Sequence, residues 1–221
     1  NIIRHISDLH PTEKGVTTKN GEYLRRLQID NPVGSFYGYR YLGVYKDEEA
    51  TIALDENGDQ ITDLNGQPVY MSFNYPNTIY QFQPGDAMYE DVNHDGNIDA
   101  YDIVYLGDAN PLFTGGFGTL ARFKGFTLNT SFHYRYGFDI INKVRMDTEN
   151  MYGYDNQSKA VLRRWRNLGD ETDIPRAVIN GGFNYLGSDR FVEDGSFVRL
   201  KYINLTYSLP KPIIQRLMLS Q

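Results

Sequence analysis

The feature that most constrains this chain is an unbroken two-residue alternation over residues 126–136. Large apolar side chains and one threonine occupy the first set of positions: Phe126, Leu128, Thr130, Phe132, Tyr134 and Tyr136. Polar side chains occupy the positions between them: Thr127, Asn129, Ser131, His133 and Arg135. Successive side chains of a β-strand point to opposite faces, so the pattern predicts one strand with an apolar face and a polar face.

Two other segments alternate in the same way. Residues 113–123 carry a phenylalanine-rich side, and the Lys-Gly pair at 124–125 predicts a tight turn that completes a hairpin. Residues 197–209 repeat the pattern and stop before Pro210, because proline cannot donate a hydrogen bond to a neighbouring strand. Two weaker candidates bring the expected total to about five strands: residues 36–46 and residues 2–6.

Long polar segments separate these strands, at residues 47–111 and 137–190, whereas loops usually have about 4 to 6 residues. One very short turn combined with very long connections is typical of outer-membrane β-barrels, whose long loops lie outside the cell. Within the second segment, residues 155–168 predict a helix that Asp155 caps and that ends at Gly169.

The composition is polar but rich in aromatic residues, with 18 Tyr, 12 Phe and a mean hydropathy of −0.52. No stretch approaches the run of about 18 apolar residues that a membrane helix needs, so the chain could cross a bilayer only as a closed β-barrel. We therefore expect an all-β fold that is part of a large antiparallel transmembrane β-barrel with long extracellular loops.

The alternation also predicts which side chains face lipid. We expect Leu128, Phe132 and Tyr134 to face lipid, and the side chains between them to face a wet lumen: Asn129, Ser131 and His133. An extracellular β-sandwich is the alternative, because its strands alternate too. The Arg, His and Asn residues of the polar faces suit a lumen better than a dry core.

The remaining composition excludes some functions. The net charge of −6 and the scattered basic residues argue against nucleic acid as a partner. The four histidines are His5, His10, His94 and His133, and they do not occur at metal-site spacing. The sequence contains neither a nucleophile elbow nor an HExxH motif. We therefore expect that the chain is not an enzyme.

One motif could bind a metal ion. Residues 91–102 read DVNHDGNIDAYD, which matches the EF-hand calcium loop except that Asp replaces Glu at the last ligand position. Gly96 permits the sharp turn, and Ile98 is expected to point into the protein. The motif predicts one structural Ca²⁺ with oxygen ligands from Asp91, Asn93, Asp95, Asn97, Asp99 and Asp102. An Asp- and Asn-rich turn that binds no ion is the alternative.

Several stretches, taken in order, resemble the C-terminal barrel half of SusC/RagA-like TonB-dependent outer-membrane transporters. They are residues 32–39 (PVGSFYGY), 85–96 (GDAMYEDVNHDG), 107–114 (GDANPLFT), 124–126 (KGF), 173–176 (DIPR) and 190–201 (RFVEDGSFVRLK). Any one of these stretches is a weak signal. Their occurrence in the family's order over nearly the whole chain is specific.

The resemblance implies a multi-pass β-barrel in the bacterial outer membrane, in contact with lipid. It also implies energy supplied by TonB through the N-terminal region, a SusD-like surface lipoprotein as partner, and an oligosaccharide or peptide substrate. Residues 1–221 are then expected to be a fragment of the barrel domain without the plug and the closing strand. A soluble extracellular calcium-binding β module for adhesion or complex assembly is the alternative function, and an enzyme acting on carbohydrate ranks below it.

Overall fold

A computed structural model describes residues 23–25, 27–74 and 78–216. The chain divides into two compact units, each made of two stretches. The core unit comprises Asn1–Ala109 and Ile140–Glu193, and the sheet unit comprises Asn110–Asp139 and Asp194–Gln221. The strand candidate at residues 2–6 lies outside the described residues.

Strands dominate the described residues and helices are short. The strands are β1 Ser35–Gly38, β2 Tyr41–Val44, β3 Ser72–Asn74, β4 Ile79–Gln81, β5 Ala87–Tyr89, β6 Asn97–Ile98, β7 Val104–Asp108, β8 Phe113–Phe123, β9 Phe126–Tyr136, β10 Asp139–Ile141, β11 Val192–Asp194 and β12 Phe197–Tyr207. The α-helices are α1 Lys143–Glu149 and α2 Lys211–Arg216, and the 3-10 helices are Glu49–Thr51, Ala100–Asp102, Lys159–Arg163 and Asp189–Phe191. None of the helices in the described ranges is long and apolar enough to cross a membrane.

The sheet unit contains the three longest strands, in the antiparallel order β12-β9-β8. The predicted bounds of β8 and β9 are confirmed, and so is the turn between them. Lys124 and Gly125 both have positive φ, at 47° and 88°, as a two-residue type I′ hairpin turn requires. Within the described residues this sheet is open at β8 and β12, so a closed barrel is not observed.

The third strand, β12, ends two residues earlier than the alternation predicts, at Tyr207 instead of residue 209. The reason lies in its partner, because Tyr207 pairs with Phe126, the first residue of β9. Beyond that point the neighbouring chain has already turned, and the Ser208 amide donates its hydrogen bond to the Gly125 carbonyl at 2.8 Å.

A bulge interrupts the pairing of β12 with β9. Leu200 pairs with Phe132 and Tyr202 pairs with Ser131, so Lys201 is an extra residue without a partner position on β9. An extra residue moves every later side chain to the opposite face. The bulge thus keeps the apolar side chains on both sides of Lys201 on one face of the sheet.

The long segments that the sequence predicted as polar connections form most of the core unit. This unit contains short antiparallel strand pairs, which are β1 with β7, β2 with β5 and β3 with β4. Strand β6 pairs with β3 in parallel. Its larger apolar cluster consists of Tyr37, Tyr39, Tyr45, Ala53, Met71, Phe73, Phe82, Ala87, Tyr89, Ile98, Ile103 and Leu186. Its smaller cluster consists of Met146, Met151, Val161, Ile174, Tyr185 and Phe191.

Two local predictions in the core unit are wrong. Residues 36–46 form two strands instead of one, because β1 and β2 pair with different partners. Residues 155–168 form only the 3-10 helix Lys159–Arg163, which Ser158 caps by accepting a hydrogen bond from the Ala160 amide. Beyond this helix the Trp165 amide donates to the Ile174 carbonyl at 2.9 Å, and the Trp165 ring packs on Gly85, where a Cβ atom would lie 2.3 Å from the ring.

Candidate functional site

The sheet unit has one continuous apolar face. Residues directly opposite each other in an antiparallel pair share a face, so the register assigns each side chain to a side. The apolar face carries Phe113, Phe117, Ala121 and Phe123 of β8, then Phe126, Leu128, Phe132, Tyr134 and Tyr136 of β9, then Val198, Leu200, Ile203, Leu205 and Tyr207 of β12.

This apolar face is exposed. The exposed fractions of Phe123, Val198 and Leu205 are 71%, 68% and 65%, values far above those of a packed core. Rings pack along the surface instead, with centroid distances of 4.8 Å between Phe117 and Phe132. A contiguous apolar surface of this kind normally marks contact with lipid or with another protein.

The other face of the sheet is polar. Its side chains come mainly from Thr114 and Arg122 of β8, Thr127, Asn129, Ser131, His133 and Arg135 of β9, and Arg199, Tyr202, Asn204 and Thr206 of β12. The predicted separation of apolar and polar side chains along β9 is therefore confirmed. Whether the two sides meet lipid and a lumen remains a prediction.

The acidic loop, residues 91–102, folds around the side chain of its first residue. The Asp91 carboxylate accepts hydrogen bonds from the Gly96 amide at 2.7 Å and from the Asp95 amide at 3.3 Å. Gly96 has a φ of 83°, and Ile98 is fully buried, as the sequence predicts. The Asn93 side-chain amide donates to Asp95 at 2.9 Å, so these polar side chains lie together at the turn.

The end of the acidic loop is held by Asp102, whose side chain is buried. Its two carboxylate oxygens accept hydrogen bonds from the Val92 amide at 2.8 Å and the Asp99 amide at 2.7 Å. Asp99 caps the 3-10 helix Ala100–Asp102 by accepting from the Tyr101 amide. Burial raises the pKa of Asp102 to about 6, because desolvation disfavours its charged form.

The predicted calcium ligands are thus brought together only in part. Asp91, Asn93 and Asp95 share the turn, Asn97 bonds to Asp95 through its backbone amide, and Asp102 is engaged by backbone amides. Within the described residues, no three Asp, Glu or His side chains form a ready metal centre. The calcium assignment therefore remains a prediction.

A buried ion pair in the core unit was not predicted from the sequence. Asp86 is fully buried and accepts hydrogen bonds from Arg176 Nε at 2.7 Å and from Tyr80 Oη at 2.7 Å. The Gln83 amide and the Asn184 side chain also donate to this carboxylate. The network joins residues 85–96 to residues 173–176, two of the stretches that resemble the transporter family. Its role is to hold the core unit together.

A second buried charge network lies beside the smaller cluster. Glu149 accepts from Arg190 Nη2 and from Arg145 Nε, both at 2.9 Å. The Arg190 guanidinium also lies 4.9 Å from the centroid of the Phe191 ring and 5.4 Å from that of Tyr185. These contacts connect α1 to the 3-10 helix Asp189–Phe191, and they are structural.

The fold and these sites define a predominantly β-stranded chain with an amphipathic three-stranded sheet and an acidic loop in a separate compact unit. No family model matches the chain. Three TonB-dependent receptors of Formosa agariphila are similar to it. Receptor P3 is 29% identical and the match covers 88% of this chain, receptor P39 is 28% identical over 90%, and receptor P26 is 30% identical over 84%.

These matches confirm the predicted resemblance to TonB-dependent receptors. They cover 17%, 20% and 16% of the relatives' own lengths, so the chain spans about a fifth or less of each.

Proposed function

We propose that the chain is part of the barrel wall of a TonB-dependent outer-membrane transporter of the SusC/RagA type. The complete receptor would import oligosaccharides or peptides with energy delivered by TonB. A SusD-like surface lipoprotein would capture the substrate outside the cell. The chain would bind and guide substrate and would carry out no chemical step.

The arrangement of aromatic rings on the apolar face carries this proposal. Phe113 pairs with Tyr136 at one end of the sheet, and Phe123 pairs with Phe126 at the other, while Leu128 and Leu205 pair between them. An outward-facing apolar band with aromatic residues at both ends is typical of membrane barrels, and here two further rings, Phe117 and Phe132, stack within the band. An 11-residue strand is roughly 36 Å long and, tilted by about 45°, spans about 25 Å, which equals the apolar height of such barrels.

The chain path supports the placement of the core unit outside the cell. All three long strands connect to the core unit at the ends marked by Phe113, Tyr136 and Phe197, whereas the two-residue turn joins β8 and β9 at the opposite end. Outer-membrane barrels have short turns on the periplasmic side and long connections outside. The core unit would therefore be the folded extracellular part of this region.

We also propose that the acidic loop binds one structural Ca²⁺. The Asp91 side chain already accepts two backbone hydrogen bonds within the loop, and the glycine turn places Asn93 and Asp95 beside it. Clustered carboxylates repel one another, and a hard cation with oxygen ligands would relieve that repulsion. The ion would order the loop and take part in no reaction.

The soluble calcium-binding module is not favoured as an alternative. A soluble module would have to cover the apolar face, yet Phe113, Phe123 and Val198 remain more than 60% exposed, at 63%, 71% and 68%.

The proposed function is tested by locating the complete receptor and by measuring uptake. We expect it to be extracted with the outer membrane, and we expect uptake of its substrate to stop when TonB is deleted. Recovery of the complete protein in the soluble fraction, or uptake that is equal with and without TonB, would contradict the proposal.

A further inference from the structure

The three long strands carry an unusual distribution of charge. β8, β9 and β12 contain no Asp or Glu, although the whole chain has a net charge of −6. Their charged side chains are basic, and the arginines of all three strands lie on the polar face. The polar face of the sheet is therefore positively charged, while the carboxylates of the chain lie elsewhere.

The basic side chains concentrate near one end of this face. Arg199 of β12 pairs directly with His133 of β9, and Phe197 pairs directly with Arg135. Direct partners lie about 5 Å apart and diagonal neighbours about 7 to 8 Å apart, so Arg135 and Arg199 are close enough to repel each other. We name this group, Arg135, His133, Arg199 and Phe197, the arginine patch.

The arginine patch has no internal counter-charge. Within the part of the chain that the structure describes, the ion pairs involve other side chains, and neither Arg135 nor Arg199 has a carboxylate within salt-bridge distance. The Arg199 guanidinium instead lies 4.9 Å from the centroid of the Phe197 ring. Both arginines are exposed and His133 is half-buried, so an anion could reach them.

The surroundings leave room for a ligand. Gly116 of β8 pairs with His133, so no side chain from that strand covers the histidine.

The rest of the polar face indicates the kind of ligand. Asn129, Ser131 and Asn204 continue along the sheet from the arginine patch and offer amide and hydroxyl groups. Such groups suit the many hydroxyls of a sugar. Two arginines are suited to a carboxylate or sulfate.

We propose that the arginine patch is a subsite for the carboxylate or sulfate groups of an acidic oligosaccharide. The inference rests on the proposed function, since it takes the polar face as the substrate path of the transporter. It narrows the substrate class from oligosaccharides or peptides in general to negatively charged oligosaccharides.

The test measures binding to the purified complete receptor by calorimetry at physiological salt. The probes are hexagalacturonate, a sulfated oligosaccharide of similar length, and the neutral maltohexaose. We expect the receptor to bind at least one acidic probe about tenfold more tightly than maltohexaose, and Arg199→Gln to remove most of that preference. Arg122→Gln is the matched control, because it removes one charge from the same face near the hairpin turn, where Arg122 pairs with Thr127.

Three results would overturn the inference. The first is that all probes bind equally or that none binds. The second is that Arg122→Gln and Arg199→Gln weaken the binding of the acidic probe equally. The third is that Arg199→Gln lowers the thermal stability of the receptor without changing binding. The last result would mean that the receptor's own carboxylates neutralise the arginine patch. Failure of the proposed function would appear in different measurements from failure of this inference. Membrane location and TonB-dependent uptake test the proposed function, and they do not depend on which probe binds more tightly.

Discussion

Deletion of Lys201 tests the role of the bulge in β12. Without this extra residue the backbone alternation of β12 becomes continuous, so the side chains on one side of position 201 must move to the wrong face. The smaller rearrangement takes Val198 and Leu200 off the apolar face and places Arg199 on it. We expect this deletion to destabilise the sheet unit strongly.

The magnitude follows from the side chains that move. Withdrawing each aliphatic side chain from an apolar environment costs about 1.5 to 3 kcal/mol. If the apolar face meets lipid, as proposed, an arginine on it adds about 2 to 4 kcal/mol at the bilayer midplane and less than about 1 near the interface. Arg199 lies close to the first residue of β12, so the smaller arginine cost applies. The total for the two aliphatic side chains and the arginine is then roughly 5 kcal/mol.

The assay is the fraction of folded receptor in lipid vesicles along a urea series, read from the gel shift between folded and unfolded barrel. Lys201→Ala is the matched control, because it keeps the bulge and should cost less than about 1 kcal/mol. If the deletion and Lys201→Ala share one urea midpoint, the bulge does not set the faces and the reasoning is refuted.

Three further changes test the core unit and the acidic loop. Asp86→Ala should lower the free energy of unfolding by about 3 to 5 kcal/mol, because it leaves Arg176 without its buried counter-charge, and thermal melting of the receptor measures this. Glu149→Ala should cost a similar amount of about 3 to 5 kcal/mol by leaving the buried Arg190 unpaired, with cleavage of the core unit by protease as the measurement. Asp95→Ala should make the acidic loop as protease-sensitive as chelator makes it in the parent receptor, after which chelator should have no added effect.

The control for the acidic loop is an exposed aspartate of the same unit. Asp55→Ala alters an exposed turn whose side chain accepts hydrogen bonds from two backbone amides, and it should leave the chelator response intact. Unchanged melting after Asp86→Ala would contradict the structural role of that ion pair. A parent loop that is equally resistant with and without chelator would show that the loop binds no calcium.

The sequence predicted the sheet unit well because its pattern is local. Alternation, a Lys-Gly turn and a following proline were enough to predict β8 and β9 and to locate β12 to within two residues. The bulge was not predicted, although a signal was present. The aliphatic residues of β12 fall on even positions up to Leu200 and on odd positions from Ile203, and that switch requires one extra residue between them.

The core unit could not be predicted in the same way because its contacts are distant in sequence. Asp86 and Arg176 are 90 positions apart, and nothing near either residue indicates the other. The tyrosines at 37, 39 and 45 all stand at odd positions, which suggests one strand with two different faces. All three are instead buried in a core that side chains from several short strands build. The acidic loop could be predicted in part. Its turn follows from the local spacing of residues, whereas the binding of an ion depends on whether the ligand side chains converge on one point.

The lipid exposure of β9 and β12 tests the central proposal most directly. Single cysteines along both strands of the complete receptor, introduced one at a time and spin-labelled in vesicles, would be read for contact with a lipid-soluble relaxation agent. We expect contact at every second residue of β9, including positions 128, 132 and 134, and in β12 a change from even to odd positions across Lys201. Uniform exposure or uniform burial along β9, or a period that continues unchanged through Lys201, would contradict the account.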